Sequence, residues 1–221
     1  MYCPAHFAET RPAQLHRLMQ AHPLATLVTA DDDGPQANLL PLLLDAPENP
    51  GDASEARPDA EGVRLSGHLP RANPLADALR RQPTVLVLFH GPSAYVSPNW
   101  YPSKQENHRA VPTWNYLTVQ VRAQARVIDD PAWLRRHLAA LSTHHETSEP
   151  HPWSLDDAPA DFIDKLLGVL VGVELIAQSV QGKWKLSQNR PAHDRTGVAA
   201  ALRQRAHPQD AQVADWMARL A

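Results

Sequence analysis

Ser66-Gly67-His68-Leu69-Pro70-Arg71-Ala72-Asn73-Pro74 puts a histidine, an arginine and an asparagine within a few residues of a strand-to-helix transition. Free amides and the positive dipole end at a helix N-terminus suit a phosphate, and an arginine can add a bidentate clamp. The plain alternative is that Asn73 caps the helix and Arg71 is solvated. Between Tyr95 and Asn115 lie Trp100, Tyr101 and Trp114, with Ser97, Ser103, Lys104, Thr113 and Asn115 among them. Aromatics in a loop between strands either close the end of a barrel or flank a planar ligand. Gly182 to Arg190 (GKWKLSQNR) gathers two lysines, an arginine, two amides and a hydroxyl, donors that suit an anionic or heterocyclic ligand. A fourth group, His137, His144, His145 and His151 with Glu146 and Glu149, has no established metal spacing such as His-Glu-x-x-His and is read as structural or superficial. The single cysteine, Cys3, can form neither an internal disulfide nor a thiolate metal site. Phosphate-loop, dinucleotide and nucleophile-elbow motifs are absent from the sequence.

The chain that must position these groups has 221 residues, 43% hydrophobic and 20% charged, which is globular composition and enough for one domain with an appendage. No apolar run reaches the length of a membrane span: Leu166 to Val173 is stopped by Glu174. The N-terminus lacks the layout of a signal peptide, and a cytoplasmic protein is expected. The net charge of −3 hides an asymmetry. Asp31 to Glu61 holds nine acids and one base, whereas Lys183 to Arg205 holds six bases and one acid. A basic surface near the C-terminus is the candidate contact for nucleic acid, and a solvated helix face is its plain alternative.

Pro12 opens a helix that ends near His22-Pro23. Leu24 to Thr29 and Gln36 to Leu44 read as a hairpin turning at Asp31-Asp32-Asp33-Gly34. Residues 45–61, acidic and rich in proline and alanine, read as a solvated loop. Val63 to His68 is the next strand, and Asn73 caps a helix from Pro74 to Arg81. Thr84 to His90 is nearly continuous apolar sequence, expected to be buried on both faces and ended by Gly91-Pro92, with Ala94 to Val96 a separate short strand. Trp114 to Val127 alternates as a half-buried antiparallel strand. Asp130-Pro131 opens a helix to about Leu141, Pro159-Ala160 another through Leu167, and Val169 to Val180 returns as strand. Helices are expected over Thr196–Arg205 and Gln209–Leu220. Short strands joined by hairpins, with helices at the ends, imply a small antiparallel barrel of mainly β, α+β class.

Five blocks in order resemble the PaiB-type FMN-binding negative transcriptional regulators. They are Met1-Tyr2…Pro4-Ala5-His6-Phe7, Gly67 to Pro74, Tyr95 to Tyr101, Val111 to Tyr116, and Lys185-Leu186-Ser187-Gln188-Asn189-Arg190. The resemblance implies an antiparallel split β-barrel of the FMN-binding type with C-terminal helices, related to the pyridoxamine-phosphate oxidases. It implies a barrel domain over 1–180, with a helical insertion at about 131–168, and a basic segment over 181–221. It also implies a homodimer with FMN near the subunit interface. Carried over residue by residue, Arg71 and Asn73 become phosphate contacts. Gly67 opens the segment that holds the phosphate, and His68 lies at the strand end beside the ribityl chain or ring. Thr113, Trp114 and Asn115 come from the other subunit, and Lys185, Gln188 and Asn189 close the site. Lys185 or Lys104 is the positive group expected near the N1–C2=O edge of the ring.

Three functions follow from that resemblance: a flavin-binding regulator, with DNA contact through the basic C-terminal region; a flavin-dependent oxidoreductase; and a flavin or haem carrier. The sequence offers no acid–base pair for catalysis, and His68 is the one ionisable residue expected at the ring.

Overall fold

The computed structural model describes residues 1–31, 34–45, 62–205 and 207–219. Residues 46–61 of the expected acidic loop, and Asp32 and Asp33 at the tip of the first hairpin, therefore lie outside the described residues. Hydrogen bonding links the strands in the order β3-β2-β6-β7-β8-β5-β4, with β1 on β8. These strands are β1 (Ala8–Glu9), β2 (Leu24–Asp31), β3 (Gly34–Pro41), β4 (Leu43–Leu44), β5 (Arg64–Pro70), β6 (Thr84–Val96), β7 (Thr113–Ile128) and β8 (Leu170–Lys185). The chain divides into two compact units, and the long strands β6, β7 and β8 run through both.

One unit comprises Pro23–Leu88 and Val121–Val180. Its hairpin pairs Leu24 with Pro41 through Asp31 with Gly34. Gly34 sits at φ +105°, a conformation that glycine adopts without the steric cost other residues meet. β5 pairs antiparallel with β8, Arg64 opposite Ile176 and Pro70 opposite Leu170. Helix α2 (Pro74–Arg81) starts as its residues dictate: the Asn73 side chain accepts from the Leu75 N–H, and Pro74 occupies the first turn. Helices α4 (Pro131–Glu146) and α5 (Ala160–Gly168) bury Leu134, Ile163 and Leu167 against Leu170.

The other unit comprises Met1–His22, Phe89–Gln120 and Gln181–Ala221. Helix α1 (Pro12–Ala21) buries Leu15, Leu18 and Met19. Helices α6 (Ala192–Gln204) and α7 (Pro208–Ala218) contribute Val198, Leu202, Val213 and Met217 to the core. Helix α3 (Lys104–Asn107) is a single turn.

Three expectations need correction. Gly91-Pro92 does not end a strand, because β6 continues to Val96. A β-carbon on Gly91 would lie 2.7 Å from Leu18 Cδ1 and 3.0 Å from Leu117 Cβ, so the glycine serves close packing rather than a turn. Nor is the apolar run of β6 buried on both faces: Val85, Val87 and Phe89 are buried, and Leu86 and Leu88 only half so. Finally, α4 runs beyond Leu141 to Glu146, and His144 and His145 fall in its last turn, where the dipole favours cations.

Candidate functional site

At the end of β5 the backbone packs tightly. A β-carbon on Gly67 would lie 3.0 Å from Leu42 Cδ2 and 3.1 Å from the Pro41 carbonyl oxygen. The Arg71 guanidinium donates to the Leu170 carbonyl (3.2 Å) and to that of Gly168 (3.4 Å). It also pairs with Asp129, which Arg80 contacts at 3.2 Å. Arg71 remains about half exposed, 47%. The Asn73 carbonyl accepts from the Ala76 N–H (3.0 Å), so both ends of this residue serve the helix start.

His68 enters a line of groups. Its Nδ1 lies 3.2 Å from His137 Nε2, His137 Nδ1 lies 3.2 Å from Ser66 Oγ, and Ser66 Oγ donates to Asp45 Oδ1 at 2.6 Å. Strand β5 supplies Ser66 and His68, on the same side of the strand by its period of two. Asp45 follows β4, which pairs with β5 through Leu43 and Ser66. Helix α4 supplies His137, whose ring stacks on Trp133 at 5.2 Å with 14° between planes. Ser66 and His137 are buried. Burial, with His68 adding to it, pushes the His137 imidazolium down to about 4, and burial also lowers His68. Burial pushes the Asp45 carboxyl up; the Ser66 hydroxyl opposes this, Glu174 reinforces it and Arg64 opposes it. An open cleft of about 250 Å³ adjoins the line, with Asp45, Ser66, His137, Arg64, Arg136 and Glu174 in its wall. No sequence motif marks this constellation. Its only signal was helical spacing, which sets His137 three residues from Leu134 on the apolar face of α4.

In the other unit, β7 and the end of β8 bring a second set together. Lys185 Nζ donates to Thr113 Oγ1 (2.6 Å) and to the Trp114 carbonyl (2.5 Å). Burial, with Lys183 and Arg190 nearby, lowers its ammonium. Asn115 is fully buried and exchanges hydrogen bonds with Ser187 Oγ at 3.1 and 3.2 Å. Ser187 adopts φ +64°, a left-handed conformation that costs a non-glycine residue energy and here is held by Asn115. Gln188 accepts from the Leu186 N–H (2.7 Å) and donates to the Trp184 carbonyl (2.5 Å), closing the turn on itself. Asn189 is exposed. Lys104 donates to Asn99 Oδ1 at 2.5 Å.

The aromatic loop divides. Tyr101 is core, 2% exposed, under the Arg190 guanidinium at 4.8 Å, and Trp100 lies under Arg205 at 5.6 Å. Tyr95 and Trp114 meet edge to face at 6.1 Å and stay open, 39% and 55% exposed. Asp194, fully buried, accepts from the Ser103 N–H (3.0 Å) and hydroxyl (2.6 Å) and so ties α6 to this loop. Gly67, His68, Arg71 and Asn73 thus belong to one compact unit, and Lys104, Thr113, Trp114, Asn115, Lys185, Gln188 and Asn189 to the other. Among the described residues there is no group of three or more side chains suited to a metal ion. No described helix is long and apolar enough to cross a membrane.

Residues 1–179 match a family described as "Putative FMN-binding domain". An uncharacterised protein of Aspergillus fumigatus is 35% identical over 234 residues, covering 90% of this chain and 89% of that protein. The protease synthase and sporulation protein PAI 2 of Bacillus subtilis is 28% identical over 217 residues, covering 98% and 96%. Among solved structures, the flavocytochrome Anf3 of Azotobacter vinelandii superposes with a TM-score of 0.59 at 15% identity, over 86% of this chain and 75% of that one. The FAD and heme binding protein of Mycobacterium smegmatis gives 0.55 at 16%, over 86% and 78%. Such structural likeness carries the fold: an antiparallel sheet with helices of the flavin-binding split-barrel type.

Proposed function

This chain belongs to the FMN-binding domain family, with FMN as its cofactor, and on that premise we propose that it is a cytoplasmic homodimer that holds flavin at the subunit seam and acts as a negative regulator of transcription. Bound FMN would supply a ring that accepts and returns electrons. The observation that carries the flavin site is the Lys185 cluster. An ammonium fixed by Thr113 and the Trp114 carbonyl uses two of its three N–H donors and keeps one for an anionic ring edge. Buried Asn115 and the strained Ser187 hold that lysine's turn in place. Trp114 and Tyr95 give an open aromatic edge for a planar group.

The phosphate falls to Arg71, with Gly67, His68 and Asn73 at the same strand end. An incoming phosphate would replace the half-exposed Asp129 as partner of Arg71, an exchange of one oxyanion for another. Lys104, Gln188 and Asn189 complete the ring side, contributed by the partner chain. Exposed Val111, Tyr95 and Trp114 are apolar surface that a second copy would cover.

The regulatory reading is supported by the likeness to the Bacillus sporulation protein along nearly the whole chain. Residues 1–180 act in it as the flavin-binding barrel, and 181–221 carry the basic surface together with Lys185, Gln188 and Asn189 of the flavin site. Several bases of that segment are already engaged: Arg203 with Asp215 (3.5 Å) and Arg205 with Asp210 (2.8 Å). Direct DNA binding would therefore have to exchange such exposed pairs for phosphate oxygens and should be strongly salt-sensitive. Titration of the purified protein with promoter DNA is expected to show affinity falling on the order of 10-fold or more between 50 and 200 mM salt through counterion release. No shift at low salt, together with bleaching of bound flavin by NAD(P)H, would replace the regulator with an oxidoreductase.

A further inference from the structure

The line His68–His137–Ser66–Asp45 has a direction. An ionised carboxylate only accepts, so the Ser66 hydroxyl gives its proton to Asp45 Oδ1 and accepts from His137 Nδ1. Neutral His137, with its proton on Nδ1, has a bare Nε2 that accepts from His68 Nδ1. His68 is left with an unprotonated Nε2 on the far side of its ring.

We propose that these four residues form a proton relay in which His68 Nε2 is the base facing the flavin and Asp45 is the terminal acceptor at the open cleft. This rests on the reading that flavin binds beside His68. A proton arriving at His68 Nε2 releases the His68 Nδ1 proton to His137 Nε2. The His137 Nδ1 proton passes to Ser66 Oγ, and the Ser66 hydroxyl proton passes to Asp45 Oδ1. One proton enters and one is stored. Both rings end neutral with their proton moved from Nδ1 to Nε2, and the carboxylate ends as a carboxylic acid. Run backwards, the same steps return a proton through His68 Nε2. No charge rests on a ring, which suits a path whose middle is buried.

The surroundings fit the two ends. Arg64 on β5, Glu174 on β8 and Arg136 on α4 share the cleft wall with Asp45, and Arg126 on β7 holds Glu174 at 3.2 Å. Burial and Glu174 bring the Asp45 carboxyl nearer to accepting a proton than a surface aspartate, although Ser66 and Arg64 oppose them. The cleft gives that carboxyl access to water. His137 and Ser66 do not touch the flavin in this scheme; they are relay residues that pass the proton on.

Tautomers read the relay directly. Histidine side-chain ¹H–¹⁵N spectra of the flavin-free full chain at pH 7 are expected to show both His68 and His137 protonated on Nδ1 and bare on Nε2. Ser66→Ala and Asp45→Ala are each expected to lose this pattern and give mixed tautomers. A wild-type His68 carrying its proton on Nε2, or both variants keeping the wild-type pattern, would overturn the relay. Asp45 lines the cleft and is only partly buried, so its variant decides alone should Ser66→Ala not fold. A parallel FMN titration separates the two readings, because the tautomers are set without flavin. Ordered tautomers without FMN binding would break the flavin reading and, with it, the role given to His68. FMN binding with disordered tautomers would break the relay alone.

Discussion

His137 is a histidine that the fold keeps uncharged, and that makes it a source of pH-dependent stability. Its value near 4, against about 6.5 for a free imidazole, means that the unfolded chain binds this proton first. The stabilisation is therefore complete above pH 6.5 and is lost as pH falls through 4. At about 1.4 kcal/mol per unit, the loss is on the order of 3 kcal/mol. His68 shifts in the same direction, and Asp45, raised, acts in the opposite sense just above pH 3.8. Denaturant melts of wild type and His137→Gln between pH 7 and pH 4 isolate the contribution of this histidine. The wild type is expected to lose stability more steeply than the variant, and equal slopes would show that His137 is not buried in neutral form.

At the scale of elements, α4 lies against β8 through one contact that tolerates no extra atom. A β-carbon on Gly172 would lie 2.2 Å from Trp133 Cζ3, and the indole also stacks on His137. Gly172→Ala is therefore expected to cost about 1–3 kcal/mol, lowering Tm by several degrees, and Trp133→Leu should recover part of that loss. Thermal melts of the two single variants and the double variant test this; an unchanged Tm in Gly172→Ala would contradict the packing. Elements of this kind were legible in the sequence wherever the code is local. The Asn73-Pro74 start of α2, Pro12 at the start of α1 and the alternation of β7 all follow from capping, proline geometry and period-two burial. The continuation of β6 through Gly91-Pro92 was not legible, because Leu18 and Leu117, distant in sequence, decide what the glycine is for. The same limit hid the line from His68 to Asp45. Ser66 and His68 are neighbours, but His137 is 69 residues from His68, and only the pairing of α4 with β5 brings them together. By contrast, the Lys185 block and Thr113-Trp114-Asn115 could be selected from composition and family resemblance, and the structure joins Lys185 to Thr113 and Trp114, and Asn115 to Ser187.

For the whole molecule, family membership and the split-barrel fold make flavin binding the property from which the rest descends. Arg71 and the Lys185 cluster sit in different compact units, and the proposed dimer lets one FMN draw on one group from each chain. The stoichiometry should then be one FMN per chain in a particle of twice the chain mass. Titration of the purified flavin-free protein with FMN, followed by quenching of flavin fluorescence, tests this most directly. The expected result is saturation at one FMN per chain, with Arg71→Ala weakening binding about 10-fold or more, the loss of a charge-assisted phosphate contact. Absence of saturable quenching by the wild-type protein would contradict the account at its root.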